Sequence, residues 1–285
     1  MSRFRSVSRS LAEHVLVRIP PRRRRGARLI LAYHNVVASE SEIRGDRSLH
    51  LPLEHFTQQL DVIRAEAAVV PLLDLLLGAA TTYPRVALTF DDAYRSALQH
   101  GVSTCSASGV PSTIFVSPSL LGTIPEWDRR ADRGTWSAAE RHAFLWQSRG
   151  MGTHEPVSTV NRGMADAASI APLALLQQIA AMPHVTLGNH TMHHANLGAL
   201  DAAEVESEIR ECEEWLGGLQ GVHTLPVVAF PYGSAPRSPI GERFGLLVTG
   251  GWFDAPPPQH RVPRWNVPSG VSVSGFRARL RGWLI

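Results

Sequence analysis

The stretch RVALTFDD, residues 85–92, combines an apolar run with two adjacent carboxylates, Asp91 and Asp92, at its end. The apolar residues predict a short buried strand, and packing alone gives no reason to end a strand on two acids. Much later in the chain, the stretch HTMHH at residues 190–194 carries two imidazoles in an i,i+4 relation, those of His190 and His194. One acid and two such histidines can form a three-ligand metal site, and the second acid then remains available as a base.

Length and composition indicate a globular protein with a sizeable core. The chain has 285 residues, of which 44% are hydrophobic and 19% are charged, enough for one large domain or two small ones. The formal net charge of +3 is weak support for a polyanionic partner, and we expect no nucleic-acid binding. Neither a signal peptide nor a run of about 18 apolar residues is visible, which predicts a cytoplasmic protein.

Basic charge is concentrated at the start of the chain. Nine arginines fall within the first 28 residues, against the single acid Glu13. Apolar residues between Phe4 and Val15 are spaced as in a short amphipathic helix. Residues 1–27 are therefore interpreted either as a solvated, poorly ordered basic leader, which we favour, or as a contact with a membrane surface.

Apolar runs alternate with helical patterns over most of the chain. This order predicts a parallel sheet covered by helices, either open or closed into a barrel. Asp91, His190 and the stretch PYG at residues 231–233 each follow a predicted strand. Because the carboxyl ends of parallel strands carry the chemistry in such folds, we expect these residues to share one site. Residues 122–180 have a helical pattern and are interpreted as an insertion between strands.

Each motif also has an ordinary structural explanation. Histidines spaced i,i+4 on a helix that begins near residue 190 would share one face, yet most such pairs are surface or capping residues without a metal. His193 lies between the two histidines and would point elsewhere. Asp92 could be the N-cap of a predicted helix from Ala93 to His100. A metal site is therefore indicated by the combination of motifs and not by either one alone.

Four stretches together resemble carbohydrate esterase family 4, the polysaccharide deacetylases, also described as NodB-homology domains. Three of them are TFDD at residues 89–92, HTMHH at 190–194 and FPYG at 230–233. The fourth, YHNV at residues 33–36, follows the opening strand and resembles the subgroup that contains the poly-N-acetylglucosamine deacetylases. The resemblance extends over residues 28–285, and it implies one catalytic domain folded as a distorted (β/α)7 barrel, here with a helical insertion.

The resemblance also implies roles for individual residues. A divalent metal ion, usually zinc, would be bound by Asp92, His190 and His194. Asp91 would be the general base that activates a water molecule. The backbone N–H of Tyr232, in the turn that begins with Pro231, would stabilise the oxyanion of the reaction.

The chain departs from the family pattern near the proposed base. The glycine that usually follows the two acids is Ala93 here, a mild change at a predicted helix start. The arginine that steers the base in many members falls at Ala229, and the subgroup commonly lacks it too. Arg264 is a candidate substitute as the partner of Asp91, and the alternative is an ordinary surface arginine.

The acid that protonates the leaving amine is harder to assign. Most of the family has a histidine near the C-terminus for this role, but no histidine follows Val262. In the subgroup, the corresponding strand comes first in the sequence. The resemblance therefore implies His34, directly after the first strand, as the acid. The alternatives are that His34 only packs at the barrel rim and that His260 is the acid.

We therefore expect metal-dependent hydrolysis of an N-acetyl group on a sugar or glycan, with release of acetate and a free amino sugar. Two alternatives remain open: hydrolysis of a non-sugar amide or imide on the same scaffold, and a non-catalytic relative that binds glycan or metal. Trp127, Trp252 and Trp265 are candidates either for stacking on a sugar ring or for ordinary packing.

Overall fold

The computed structural model describes residues 13, 16, 19–22, 26–79, 81–160, 162–254 and 261–283. The apolar positions of the predicted N-terminal helix, most of the arginine cluster and His260 lie outside these residues. Within them, no helix combines the length and the hydrophobicity that a membrane span requires.

The centre of the fold is a parallel sheet that curls into a barrel. In chain order its main strands are β1 (Arg28–Tyr33), β2 (Arg85–Phe90), β3 (Ser112–Val116), β4 (Val185–Asn189), β5 (Thr224–Ala229), β6 (Phe244–Leu247), β7 (Val262–Pro263) and β8 (Trp265–Asn266). In space they follow the order β7-β6-β5-β4-β3-β2-β1-β8, and every neighbouring pair is parallel. Strands consecutive in sequence are thus mostly neighbours in space, as in a βα barrel.

One short segment, residues 262–266, closes the barrel by pairing with both edges of the sheet. Its first part, β7, pairs with β6 through Val262 and Leu246. Its second part, β8, pairs with β1 through Trp265 and Leu31. The six strands β1 to β6 and this segment make seven positions around the barrel, so the predicted distorted (β/α)7 barrel is confirmed.

Helices connect the strands of the barrel, and most of them lie around its outside. They are α1 (Leu53–Glu66), α2 (Leu72–Leu77), α3 (Ser103–Ala107), α4 (Glu126–Asp132), α5 (Ala138–Trp146), α6 (Arg162–Ala168), α7 (Leu173–Ala180), α8 (Ala202–Gly217) and α9 (Val273–Leu280). A π-helical segment, Ala97–Val102, precedes α3. Short paired strands are Asn35–Val37 with His50–Pro52, Thr123–Ile124 with Glu155–Pro156, and Ala68–Val69 beside β2.

Helices α1 and α8 have clear signals in the sequence itself. The amphipathic pattern of residues 53–66 forms α1. At the start of α8, the Asp201 side chain accepts hydrogen bonds from the backbone of Ala203 and Glu204, and the Glu204 side chain accepts one from the Asp201 N–H. Helices α4 to α7 lie within residues 122–180, and α7 packs against the main core of the barrel.

Alternation along the strands separates the barrel interior from its helical cover. Leu29 and Leu31 of β1 pack in the cluster that includes the covering helices, whereas Ile30 between them belongs to a second, interior cluster. In β2 the interior residue is Ala87. Two further steps of the same period lead to Asp91, so the alternation directs this acid into the mouth of the barrel.

The opposite end of the barrel is closed by α2. Leu72 and Leu76 pack into the interior cluster. Arg28, which is 1% exposed, donates hydrogen bonds to the carbonyls of Leu75, Leu76 and Gly78 at the end of α2. A cation at a helix C-terminus satisfies carbonyls that lack helical partners. This end of the barrel is therefore structural.

The predicted helix from Ala93 to His100 begins later than expected. Asp92 and Ala93 have φ angles of 67° and 59°, in the left-handed region, and helical geometry starts only at Arg95. The interpretation of Asp92 as a helix N-cap is therefore wrong, because the residue lies outside the capping position and has a left-handed backbone. This turn leaves the Asp92 carboxylate available for other contacts.

Candidate metal and catalytic site

Asp91 lies at the barrel mouth in a buried ion pair with Arg264. The two terminal nitrogens of Arg264 each donate to one carboxylate oxygen of Asp91, both at 2.6 Å. The side chains are 2% and 1% exposed, and the guanidinium carbon lies 5.7 Å from the ring centroid of Phe115 inside the barrel. Arg264 reaches this place because it stands between β7 and β8 in the closing segment. It is therefore not a surface residue.

His34 follows β1 and brings a titratable group to the same acid. Its Nε2 is 3.9 Å from Asp91 Oδ2, and 17% of its side chain is exposed. Burial alone would favour the neutral form of Asp91, but attraction to Arg264, then to His190 and His34, outweighs it and lowers the pKa of Asp91 below its ordinary value. Asp91 is therefore a carboxylate at neutral pH.

His190 and His194 converge through a loop. Thr191 and His194 have φ angles of 65° and 56°, and residues 190–196 contain no helical turn. The Thr191 N–H donates to the Asn189 side chain at 2.7 Å, and the Thr191 hydroxyl accepts from the Ala195 N–H at 3.0 Å. The predicted helix is wrong, yet this folded loop brings the two ring centroids to 4.8 Å.

Asp92 faces both imidazoles. Its Oδ1 is 3.0 Å from His194 Nε2 and 3.4 Å from His190 Nε2, and all three residues are buried. The candidate ligand atoms lie within 4.8 Å of one another. In the part of the chain that the structure describes, no other three His, Cys, Asp or Glu side chains are grouped in this way. His193 points elsewhere, with Nδ1 2.8 Å from Glu208 Oε1.

Hydrogen bonds determine which nitrogen of each neutral imidazole is free. His190 Nδ1 donates to the Ala229 carbonyl at 2.8 Å. The Tyr232 hydroxyl donates to the Gly150 carbonyl at 2.8 Å, so its oxygen accepts from His194 Nδ1 at 2.9 Å. Each imidazole in its neutral form therefore presents an unprotonated Nε2, as metal-binding histidines do.

These residues fit a divalent cation. Two unprotonated Nε2 atoms face Asp92 Oδ1, which is buried and has no hydrogen-bond partner. Three electron-pair donors facing each other in a buried place are unfavourable unless a positive charge lies among them. Two neutral imidazoles and one carboxylate are also a ligand set of catalytic zinc sites, which keep a position open for substrate or water.

The surroundings favour the protonation states that bind a metal. Burial disfavours the charged form of Asp92, but attraction to His194 and His190 in their protonated forms, with the hydrogen bonds that they then donate, outweighs it and lowers the pKa of Asp92 well below its ordinary value. Burial lowers the pKa of His194, against the attraction of Asp92. At neutral pH the acid is therefore charged and this histidine is neutral.

Left-handed backbone is concentrated around the site. Among the described residues other than glycine, positive φ angles occur at Asp92, Ala93, Arg149, His184, Thr191, His194 and Tyr232. Each such residue costs about 1–3 kcal/mol, and the cost persists only where the surrounding structure imposes the conformation. Glycine adopts this conformation most easily. The departure at Ala93 is therefore a left-handed residue and not a change at a helix start.

The turn Pro231–Gly233 forms another side of the site. Tyr232 has a φ angle of 58°. Within the turn, the N–H groups of Gly233 and Ser234 donate to the carbonyls of Phe230 and Pro231 at 3.0 and 3.1 Å. The turn does not use the Tyr232 N–H in these bonds, which leaves it as the candidate oxyanion donor that the resemblance implies.

The site opens into a cavity of about 270 Å³. Its lining includes His34, both acids, the two histidines, Arg264 and Tyr232. Of the predicted tryptophans, Trp127 lines the cavity, with its ring centroid 4.8 Å from that of His194. Trp265 packs on Phe276 instead, and Trp252 donates to the Arg279 carbonyl, so neither is part of the lining.

Four residues of the insertion line the cavity without having been predicted: Trp136, Arg141, Phe144 and Leu145. The guanidinium carbon of Arg141 lies 5.8 Å from the ring centroid of Trp136, and the Phe144 ring meets Tyr232 edge-on at 6.0 Å. The aromatic content of the insertion was visible in the sequence. Which rings reach the cavity depends on how the insertion folds back over the barrel, and no local pattern records that.

Comparison with known proteins agrees with this architecture. The family model for polysaccharide deacetylases matches residues 78–243. A search of curated proteins found no match. The structure is similar to that of the deacetylase PplD of Streptococcus pyogenes in complex with acetate, with a TM-score of 0.60 and 16% identity over 88% of this chain and 96% of that chain.

Two further solved structures share the fold. IcaB of Ammonifex degensii has a TM-score of 0.58 and 18% identity, over 90% of this chain and 98% of that chain. The BpsB deacetylase domain of Bordetella bronchiseptica has a TM-score of 0.54 and 18% identity, over 85% and 96%. The sequence match spans more than half of the chain, which therefore belongs to the polysaccharide deacetylase family of hydrolases.

Proposed function

We propose that this protein is a metal-dependent deacetylase that hydrolyses an N-acetyl group on a sugar or glycan and releases acetate and a free amino sugar. The observation that carries the proposal is the different setting of two adjacent acids. Asp91 is held by Arg264, whereas Asp92 faces two imidazoles. Asp91 can thus accept a proton while Asp92 helps to bind a cation. Metal-assisted hydrolysis requires both roles.

Zinc is the proposed ion, held by Asp92, His190 and His194. When bound, it would supply positive charge that polarises the amide carbonyl and makes a water molecule more acidic. The ligand set of one carboxylate and two neutral imidazoles supports zinc over magnesium or calcium, which prefer oxygen ligands.

Asp91 would accept the proton of the attacking water. A general base must be anionic before the reaction, and the lowered pKa of Asp91 meets this requirement at neutral pH. Arg264 would fix the carboxylate plane through its two hydrogen bonds. A carboxylate has further lone pairs beyond these two bonds, so the pairing with Arg264 leaves Asp91 able to accept a proton.

His34 would donate a proton to the leaving nitrogen. Its Nε2 lies near the carboxylate of Asp91, and its side chain borders the cavity. This position supports access of the imidazole to the leaving nitrogen of a substrate in the cavity. The Tyr232 N–H would donate to the developing oxyanion, and Pro231 would restrict the backbone at the start of this turn.

The cavity supports a substrate of sugar size. Its volume of about 270 Å³ is just below the range of about 300–1,000 Å³ that is typical of ligand pockets. Trp136 and Phe144 give it an aromatic wall, against which the apolar face of a sugar ring could pack. We infer that a single N-acetylated sugar unit occupies the cavity at a time.

Acetate release from a panel of N-acetylated sugars and oligosaccharides tests this proposal. We expect release by the zinc-loaded protein, loss of release after chelation, and recovery when zinc is restored. Small cyclic imides belong in the same panel, because hydrolysis of an imide without any acetate from sugars would favour a non-sugar amidohydrolase. Zinc binding without hydrolysis of any member would contradict the enzymatic proposal.

A further inference from the structure

The C-terminal end of α5 is hydrogen-bonded to the loop that carries the two histidines. Residues 145–150 comprise the last two residues of this helix and the four that follow it. The carbonyl of Leu145 accepts from the Asn196 side chain and the carbonyl of Arg149 accepts from the Asn196 N–H, both at 2.8 Å. The Arg149 side chain pairs with Glu204 at the start of α8. The insertion thus has a fixed position over the mouth of the barrel, although it is remote in sequence from the metal-site motifs.

Residue 150 continues this connection to a candidate ligand. The Gly150 carbonyl accepts from the Tyr232 hydroxyl, whose oxygen accepts from His194 Nδ1. Because a carbonyl oxygen can only accept, the hydroxyl of Tyr232 is the donor in its hydrogen bond to Gly150.

We propose that residues 145–150 of the insertion position the metal ligand His194, acting through the Gly150 carbonyl and the Tyr232 hydroxyl. The inference rests on the proposed metal-dependent function and gives the insertion a part in it. A carbonyl that holds the tyrosine proton makes the tyrosine oxygen an acceptor, which keeps the proton of His194 on Nδ1 and its Nε2 free. Partners of this kind typically change metal affinity by about 10- to 100-fold.

The backbone at residue 150 supports the same role independently. Gly150 has a φ angle of 73°, and a Cβ placed there would lie 2.5 Å from Tyr232 Cε2 and 3.1 Å from the Asn196 nitrogen. A side chain at this position would displace the tyrosine ring or the loop. The close approach of the carbonyl to the tyrosine therefore requires glycine.

Zinc affinity, measured on metal-free protein by competition with a chromogenic chelator, tests this inference. Tyr232→Phe keeps the ring and the turn but removes the hydroxyl. Gly150→Ala displaces the ring that carries it. Gly134→Ala is the matched control, since Gly134 lies in the same insertion with a φ angle of 68° and has no atom within 4 Å of its added Cβ. Both glycine substitutions therefore introduce similar backbone strain.

We expect Tyr232→Phe and Gly150→Ala each to weaken zinc binding by about 10- to 100-fold, with Gly134→Ala within about two-fold of the unaltered protein. Both substitutions break the same connection to His194. The double variant should therefore bind zinc as tightly as the single variant with the lower zinc affinity. Unchanged zinc affinity in Tyr232→Phe would overturn the inference and leave the proposed function intact. Failure of the unaltered protein to bind zinc would overturn both.

Discussion

At the scale of single residues, the two adjacent acids differ because the backbone turns between them. Asp91 continues the inward alternation of β2, whereas Asp92 has a left-handed backbone that sends its carboxylate to His190 and His194. The charged groups around the two acids therefore differ. This difference supports the role of Asp91 as a general base and of Asp92 as a metal ligand. Arg264 is the residue on which the state of Asp91 depends most directly.

Substitution of Arg264 should raise the pH below which activity is lost. Arg264 holds the pKa of Asp91 down, and burial acts in the opposite direction. In Arg264→Gln the pKa of Asp91 should therefore rise, so the acidic limb of the kcat/KM profile should move up by about one pH unit or more. The profile is measured between pH 4 and 8.

Arg243→Gln is the control for this experiment. Arg243 is also an ion-paired arginine, but its partners are Glu206 and Glu213 of α8, on the outside of the barrel. Its loss should leave the acidic limb where it is. An acidic limb that stays unchanged in Arg264→Gln would contradict the assignment of Asp91 as the base whose ionisation limits activity.

The residues that carry the motifs could be predicted because each follows a strand. Asp91, Asp92, His190 and His194 come together as the sequence indicates. The pairing of Arg264 with Asp91 could be suggested but not decided, because it depends on a closing segment of five residues that has no strand pattern of its own. The left-handed backbone of Ala93 could not be read from its residue type, since alanine favours helices.

At the scale of elements, the loop of the histidines shows why one spacing has two explanations. An i,i+4 pair converges on a helix, and it converges equally well in a loop folded by the Thr191 hydroxyl and the Asn189 side chain. Side chains of Thr and Asn often form hydrogen bonds to the nearby backbone that compete with helix formation, and these two do so here. The sequence predicted the convergence correctly and the element wrongly.

The end of α2 should matter for stability and not for the metal site. Arg28→Gln removes a buried guanidinium from the carbonyls of Leu75, Leu76 and Gly78. We expect the free energy of unfolding to fall by about 2–4 kcal/mol in urea titrations, with zinc affinity unchanged. Arg162→Gln, at a residue whose side chain is 95% exposed, should have little effect. A weakened zinc affinity in folded Arg28→Gln would contradict this separation of roles.

His154 in the insertion should make the protein sensitive to acid. Burial, with repulsion from His194, lowers the pKa of His154 from 6.5 to about 4. The unfolded chain takes up the proton at higher pH than the folded protein, so stability is lost as the pH falls from about 6.5 towards 4. The loss should reach at most about 1.4 kcal/mol per pH unit.

Urea unfolding of metal-free protein at several pH values measures this effect. The difference in unfolding free energy between the unaltered protein and His154→Gln isolates His154 from the other histidines, because they titrate in both. As the pH falls, we expect the unfolding free energy of the unaltered protein to decrease relative to that of His154→Gln. A difference that stays constant from pH 7 to pH 4.5 would show that His154 is not held neutral by its surroundings.

At the scale of the whole molecule, the segment that closes the barrel also contributes to the site. Residues 262–266 join β6 to β1 and place Arg264 against Asp91, while the β4 loop and the turn after β5 contribute the other groups at the same mouth. The alternation of strands and helices predicted this barrel. It could not predict how the insertion reaches the cavity, because those contacts join residues distant in sequence.

The most direct test of this account compares Asp91→Asn with Asp92→Asn. The two variants have the same change of charge and shape at adjacent positions. Zinc content and acetate release are measured together on an N-acetylated sugar that the unaltered protein hydrolyses. We predict that Asp91→Asn keeps one zinc ion and loses turnover, whereas Asp92→Asn loses both. Full turnover in Asp91→Asn, or retention of zinc with unaltered affinity in Asp92→Asn, would contradict the division of roles between the two acids.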